Sequence, residues 1–341
     1  MKMTASTGPE TDRSIWYHRH GPVLAIGMWS ERDPGHGEDA EPLLVHHTRS
    51  GEGVLGVFDG LGGAGAAIAY EPPCGVPRTG AWVGARVARA AVESWFRDGL
   101  AGSGRRTTGT LHRRLTELLD RMRPVKGSRL MAKMRRELPT TMAVLSYALT
   151  GQMVRCHALW AGDSRAYVLT ADAGLQALTR DHTVETDALD QLRQDPPMAN
   201  VISADRPFTV DSFETELPAP CVLICATDGF FGYVDTPADF ECLLLDALRR
   251  SRDEADWAQR LCDWAGAASG DDASLSGVAL GFRGFEELQT FFSARTDDVV
   301  ARYRPTLRYD GLTLEQWRTR TWHTYRPGYE RRMPPLRREA L

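Results

Sequence analysis

The sequence lacks an uninterrupted apolar run of about 18 residues, the length a membrane helix needs, so no spanning segment is expected. It also lacks an apolar stretch behind its first residues; MKMTASTGPETDRS is polar throughout and reads as the start of a flexible leader, not a secretory signal. There is no Cys-x-x-Cys pair. Of the six cysteines, Cys156, Cys221 and Cys225 lie in apolar runs and Cys242 and Cys262 in helical patterns, which excludes a zinc ribbon and a disulfide framework and suits reduced thiols in the cytoplasm. Strong charge of either sign is missing as well. A formal net charge of −4 over 341 residues gives no reason to expect nucleic acid or membrane as partner. The one local imbalance runs from Arg105 to Arg136, eleven basic residues against Glu117 and Asp120, and reads as a solvated helical face.

What is present is a globular composition, 42% hydrophobic and 25% charged, on a chain long enough to bury a large core. Strand-like runs fall at 22–29, 42–47, 53–59, 140–149, 153–161, 165–170, 221–228 and 273–282, several joined by turns too short for anything but antiparallel pairing. Helical periodicity marks 80–96, 110–122, 236–250 and 253–268, with Thr236-Pro237 as a cap and start. Three prolines make 71–80 an irregular loop. Batches of strands and pairs of helices predict an α+β layered fold. After 282 the strands stop and an Arg- and aromatic-rich tail begins. Within it Thr313 and Gln316 form a capping-box pattern, Pro327 sets a limit, and Leu314, Trp317, Thr321 and Tyr325 share a face with Trp322 at its edge. Such a stripe either packs back on the preceding domain or docks a partner; packing back is the expectation.

The segment VFDGLGG (57–63) ends an apolar run on an acid and then gives up side chains. Alone, Asp59 before Gly60 is a turn. It has company, however. Asp228 follows VLICAT, Asp163 sits in ALWAGDSRAYVL, Asp271 and Asp272 precede ASLSGVAL, and Glu38 and Asp39 follow the first apolar run. Carboxylates gathered at one sheet edge repel and are costly to desolvate unless cations join them, and hard cations such as Mg²⁺ or Mn²⁺ take oxygen ligands. Asp59 can offer two oxygens, and Gly60 can turn its carbonyl toward an ion.

In this order the stretches GEDAE, GVFDGLGG, PTTMAVLSYAL, LWAGDSRAYVL, LTRDHT, LICATDGFFG and GDDASLSGVAL resemble the metal-dependent protein phosphatase family (PPM-type, protein phosphatase 2C), and more closely its bacterial branch, over residues 22–282. The resemblance implies a four-layer α-β-β-α sandwich, two antiparallel sheets flanked by antiparallel helices; by composition, the polar 1–21 reads as a flexible leader before it and the Arg- and aromatic-rich 283–341 as a helical extension after it. It implies Mn²⁺ or Mg²⁺, two per site, with a weaker third. Carried over by position, Asp59 would bridge both ions, the Gly60 carbonyl would bind one, and Asp228 and Asp271 would complete the other's shell. Asp39 and Glu38 would hold bound waters, and Asp163 would belong to the third ion. Asp272 stands where relatives carry Asn and is expected to be structural. Arg32 is the nearest candidate for phosphate binding, in a loop about two residues longer than the family's.

The implied reaction is hydrolysis of phosphoserine or phosphothreonine on a phosphoprotein by a metal-bridging hydroxide, in a signalling setting with a cognate kinase. Ser164, Ser274 and His182 then need no catalytic role. Leu61 replaces a histidine that donates the leaving-group proton in relatives from higher organisms, and 196–213 lacks the family's flap signature. A catalytically weak binding module and a phosphatase of small phosphoesters are the alternative readings.

Overall fold

The structure is a computed structural model that describes residues 13–73, 75–124, 135–194, 196–304 and 311–336. Two antiparallel sheets pack face to face. The first runs β1 (Arg13–His20), β2 (Val23–Ser30), β13 (Ala273–Leu280), β12 (Cys221–Ala226), β9 (Arg165–Thr170), β10 (Gly174–Ala177); the second runs β11 (Asp211–Pro218), β8 (Met153–Ala161), β7 (Met142–Thr150), β4 (Glu52–Val57), β3 (Leu43–His47). A small ribbon pairs β5 (Ile68–Tyr70) with β6 (Arg78–Thr79). Thus the proline-rich loop expected over 71–80 begins beside one strand and ends on another.

The inner strands are apolar on both faces because both faces are covered. VLAIGMWS, CVLICA and ASLSGVAL are buried almost throughout. One set of side chains, including Val23, Leu55, Val57, Leu145, Val168, Leu223 and Val278, fills the space between the sheets. On the outer face of the second sheet lie α2 (Gly80–Leu100) and α3 (Thr108–Met122), through Val83, Val92, Leu111 and Leu115. On the outer face of the first lie α6 (Pro237–Arg250), α7 (Glu254–Ala268), α8 (Phe285–Tyr303) and α9 (Leu314–Tyr329). The molecule is therefore the expected α+β four-layer sandwich. Short helices α1 (Gly62–Gly65), α4 (Ala188–Gln194) and α5 (Asp228–Phe231) sit between strands.

The N-terminal expectation needs correction, whereas the tail packs back on the domain as expected. Residues 1–12 lie outside the described residues, but Arg13–His20 is no leader: it pairs with β2 along its whole length, His20 opposite Val23 and Arg13 opposite Ser30. Its charged, partly polar sequence suits an edge strand that faces water, and this is why periodicity overlooked it. The tail contributes two helices to the same core. Phe285, Leu288, Phe292 and Val299 of α8, and Trp322, Tyr325 and Tyr329 of α9, join Tyr167, Leu175 and Phe240 in one cluster. The α9 stripe is rotated from expectation, with Thr321, Trp322, Tyr325 and Tyr329 inward and Leu314 37% exposed. The capping box of Thr313 and Gln316 is present, and the helix passes Pro327 to end at Tyr329. A proline in the last turn forfeits one backbone bond, which the packed aromatics outweigh.

Candidate metal centre

Strand register brings the acids together. In the first sheet Ser30 faces Ala273, Leu275 faces Ala226, and Ala226 faces Arg165, so β2 and β12 end, and β13 and β9 begin, along one edge. In the second sheet Val57 faces Ala143 and Met142 faces Ala161, so β4 and β8 end beside the start of β7. Glu38 and Asp39 lie where the chain crosses from β2 to β3, Asp59 follows β4, and Asp163 turns β8 into β9. Asp228 opens α5, and Asp271 and Asp272 precede β13.

The electrostatics locate Asp59 among them. Burial first, then the charges of Asp39, Asp228, Asp163 and Asp271, push its carboxyl well above the usual carboxylate range. Asp39 is raised likewise by burial and by Asp272, and Asp163 by burial and by Asp228. Glu38 is raised less, chiefly by burial, because Thr79 and Arg86 offset Asp272 and Asp271. Asp39 is buried and Asp59 partly exposed; Asp163 and Asp228, also partly exposed, line a cleft of about 270 Å³ together with the exposed Asp271.

The backbone beneath the acids is tightly held. The Asp59 carbonyl accepts from Thr140 Oγ1 at 2.6 Å and from Thr141 N at 2.9 Å. A Cβ on Gly60 would lie 2.7 Å from the Glu38 carbonyl and 2.8 Å from that of Ala81, and a Cβ on Gly229 would lie 1.8 Å from the Asp272 carbonyl. Both glycines are required by backbone approach and not by turn geometry alone. Thr227 Oγ1 donates to Asp39 Oδ2 at 3.1 Å and accepts from Ser274 N at 2.9 Å, tying β12 to β13 at the acid end.

Asp272 accepts Arg32 N at 2.8 Å and Glu38 N at 2.5 Å, so its carboxylate closes the β2–β3 loop. Arg86 Nη1 donates to the Glu38 carbonyl at 3.1 Å, and Thr79 Oγ1 donates to Glu38 Oε1 at 2.5 Å. The Arg86 guanidinium also lies 3.9 Å from the centre of the Trp82 ring. Burial first, then Arg78, pushes Arg86 down to about 10. None of Thr79, Arg86 and Thr227 was expected from the sequence. Arg86 shares its helix face with Arg89 and Glu93, so no local pattern in α2 singles it out.

Arg32 is exposed at the cleft mouth, where its charge acts on Tyr233. Tyr233 lines the same opening as Asp163, Asp228 and Asp271. Arg165, buried behind Asp163, is bonded by Nε and Nη2 to Asp181 at 2.7–3.1 Å. His182 Nδ1 accepts from Gly162 N at 3.1 Å, Ser164 Oγ lies 2.6 Å from Thr141 Oγ1, and Ser274 Oγ donates to the Ala40 carbonyl at 3.5 Å; all three serve the scaffold. Leu61 opens α1 with no side-chain hydrogen bond to offer.

Among the described residues, no group of three or more His, Cys, Asp or Glu is drawn together closely enough to hold an ion as it stands. The donor set nevertheless fits a hard divalent cation. It consists of oxygens alone, and Asp163 keeps a buried Oδ1 with no hydrogen-bond partner. Repelling carboxylates whose protonation is forced upward by one another are groups that a cation would relieve.

No protein-family profile matches the chain, and no curated protein matches it. Similar solved structures include bacterial serine/threonine phosphatases. PstP/Ppp of Mycobacterium tuberculosis is 18% identical, with 79% of this chain and 97% of that one covered at a TM-score of 0.49. PppA of Pseudomonas aeruginosa is 19% identical, covering 79% and 97% at 0.48. The PPM Ser-Thr phosphatase MsPP of Mycobacterium smegmatis is 17% identical, covering 79% and 98% at 0.48. At these values the functional reading rests on the residues of the site.

Proposed function

We propose that the chain is a PPM-type, metal-dependent phosphatase that hydrolyses phosphoserine and phosphothreonine on proteins. The observation that carries this reading is the placement of Asp39, Asp59, Asp163, Asp228 and Asp271 at strand ends along one end of the sandwich. Asp59, the Gly60 carbonyl, Asp228 and Asp271 would hold two ions of Mn²⁺ or Mg²⁺, and Asp163 would take part in a third, weaker site. Bound there, the ions would make water nucleophilic near neutral pH and neutralise the phosphoryl oxygens.

The chain's own contribution is position. Asp39 is fixed by Thr227 and Glu38 by Thr79, so both can orient water by hydrogen bonding. Arg32 at the mouth supplies a cation for the incoming phosphoryl group. Leu61 has no proton to give, so solvent protonates the departing serine or threonine oxygen. The cleft opens at Asp271 and Tyr233, which admits a phosphate carried on a protein side chain. A protein kinase that writes the same mark is the reciprocal partner.

Phosphate release from a phosphopeptide panel, an aryl phosphate and small phosphomonoesters tests this reading. Release should require Mn²⁺ or Mg²⁺, stop in excess EDTA, and favour phosphopeptides. Full turnover in EDTA would overturn the metal mechanism, and preference for small esters would replace the protein substrate.

A further inference from the structure

The acid cleft has two walls, and α9 is tied to both. One wall is α4, whose Gln191 and Leu192 line the opening; the other is Phe231–Tyr233, which follows Asp228. Asp187 caps α4, its Oδ1 accepting Leu189 N at 2.9 Å and Asp190 N at 3.3 Å. The second oxygen of that carboxylate belongs to α9. It accepts Trp322 Nε1 at 3.1 Å and Arg326 Nη1 at 2.5 Å. At the far end of α4, Arg193 meets Glu315 Oε1 at 2.8 Å and Thr319 Oγ1 at 3.3 Å. Beyond the opposite wall, Asp235 pairs with Arg318.

Helix α4 has seven residues, of which only Ala188 and Leu189 are buried. A helix this short does not persist by itself in water. Ala188, Leu189 and Leu192 anchor one side of it in the core, and polar ties hold the rest. On the cleft side, Gln191 Oε1 accepts Arg165 Nη2 at 2.8 Å, and Gln191 Nε2 donates to Thr183 Oγ1 at 2.9 Å. On the outer side the ties are those to α9, which is itself seated in the core by Trp322, Tyr325 and Tyr329.

We propose that α9 is the positioning element of the substrate cleft. It holds α4 at both ends and the α5–α6 loop at Asp235, and so fixes the wall against which a phosphorylated protein segment rests. Asp187, Arg193, Trp322 and Arg326 are positioning residues that touch no reacting atom. The kinetic part of this inference rests on the phosphatase reading; the structural part does not. A small aryl phosphate needs only the carboxylate floor, whereas a phosphopeptide also needs the wall.

The test uses the full chain carrying Arg193→Gln and Arg326→Gln together, with Arg326→Lys as the variant that keeps the charge. Hydrogen exchange of the α4 amides should accelerate about ten-fold or more in the double variant while the melting temperature moves by no more than about 2 °C. With Mn²⁺ present, KM for a phosphopeptide should rise about five-fold while kcat/KM for an aryl phosphate stays within about two-fold, and Arg326→Lys should behave like the parent. Unchanged exchange in α4 would overturn the proposal. So would equal loss on both substrates accompanied by a lower melting temperature, because that pattern marks a general structural role. A parent chain with no phosphatase activity would defeat the functional reading alone, since the exchange measurement would still decide whether α9 holds α4.

Discussion

Glu241 of α6 is fully buried, and Arg295 of α8 meets both its oxygens, Nε to Oε1 at 2.6 Å and Nη2 to Oε2 at 3.0 Å. Tyr325 Oη donates to Oε2 at 2.5 Å and Leu175 N donates to it at 3.0 Å. Three helices and an edge strand thus meet on one carboxylate. Taking away a single partner leaves a buried charge uncompensated, so Arg295→Ala should cost about 3–5 kcal/mol in urea unfolding. A loss under about 1 kcal/mol would mean that the tail helices are held by their aromatic contacts alone.

The two acids Asp59 and Asp272 should separate cleanly. On the proposed metal mechanism Asp59→Asn removes a central ligand and should nearly abolish turnover, since metal stabilisation of the reaction is worth several kcal/mol. The metal-free variant should be as stable as the parent or more so, because a repelling charge is gone. Asp272→Ala deprives two loop N–H groups of their acceptor and should lower stability by about 1–3 kcal/mol. Asp272→Asn keeps one acceptor oxygen and should be milder. Full activity in Asp59→Asn would remove that residue from the centre of the site.

Stability should carry a pH signature from Asp239, in the first turn of α6. Burial pushes its carboxyl up to about 6, despite the hydrogen bond from Thr236 Oγ1. A folded value above the unfolded one means that the charged form is penalised in the native state. The penalty is absent below about pH 4, grows as pH rises, and is complete above about pH 6. Asp239→Asn should therefore match the parent near pH 4 and exceed it by about 1–3 kcal/mol at pH 7. An equal gain at both pH values, measured by urea unfolding, would show that packing and not charge is responsible.

Sequence pattern carried the inner strands well because burial on both faces leaves uninterrupted apolar runs, as in CVLICA and ASLSGVAL. It carried the acids too, since a carboxylate at the end of such a run is conspicuous. It missed β1 and β11, whose exposed edges mix His, Arg and Glu into the alternation. It gave the tail only as a helical extension and did not bound α8, although Phe285, Leu288, Phe292, Thr296, Val299 and Tyr303 recur there at helical spacing. Contacts made by Thr79, Arg86 and Thr227 depend on register between segments far apart in the chain, and no local periodicity records them.

The pairing of β2 with β13 sets a condition on synthesis. Met28 finds Leu275 and Ser30 finds Ala273 only after β13, far along the chain from β2, has left the ribosome. Until then β2 has β1 on one side and an open edge on the other, and Asp39 has neither Thr227 nor Asp272 nearby. The acid-bearing edge is thus completed only once β13 has been made. Closing so long a loop is slow. During that interval the exposed edge of β2 is where a growing chain would be captured by a chaperone or by another copy of itself.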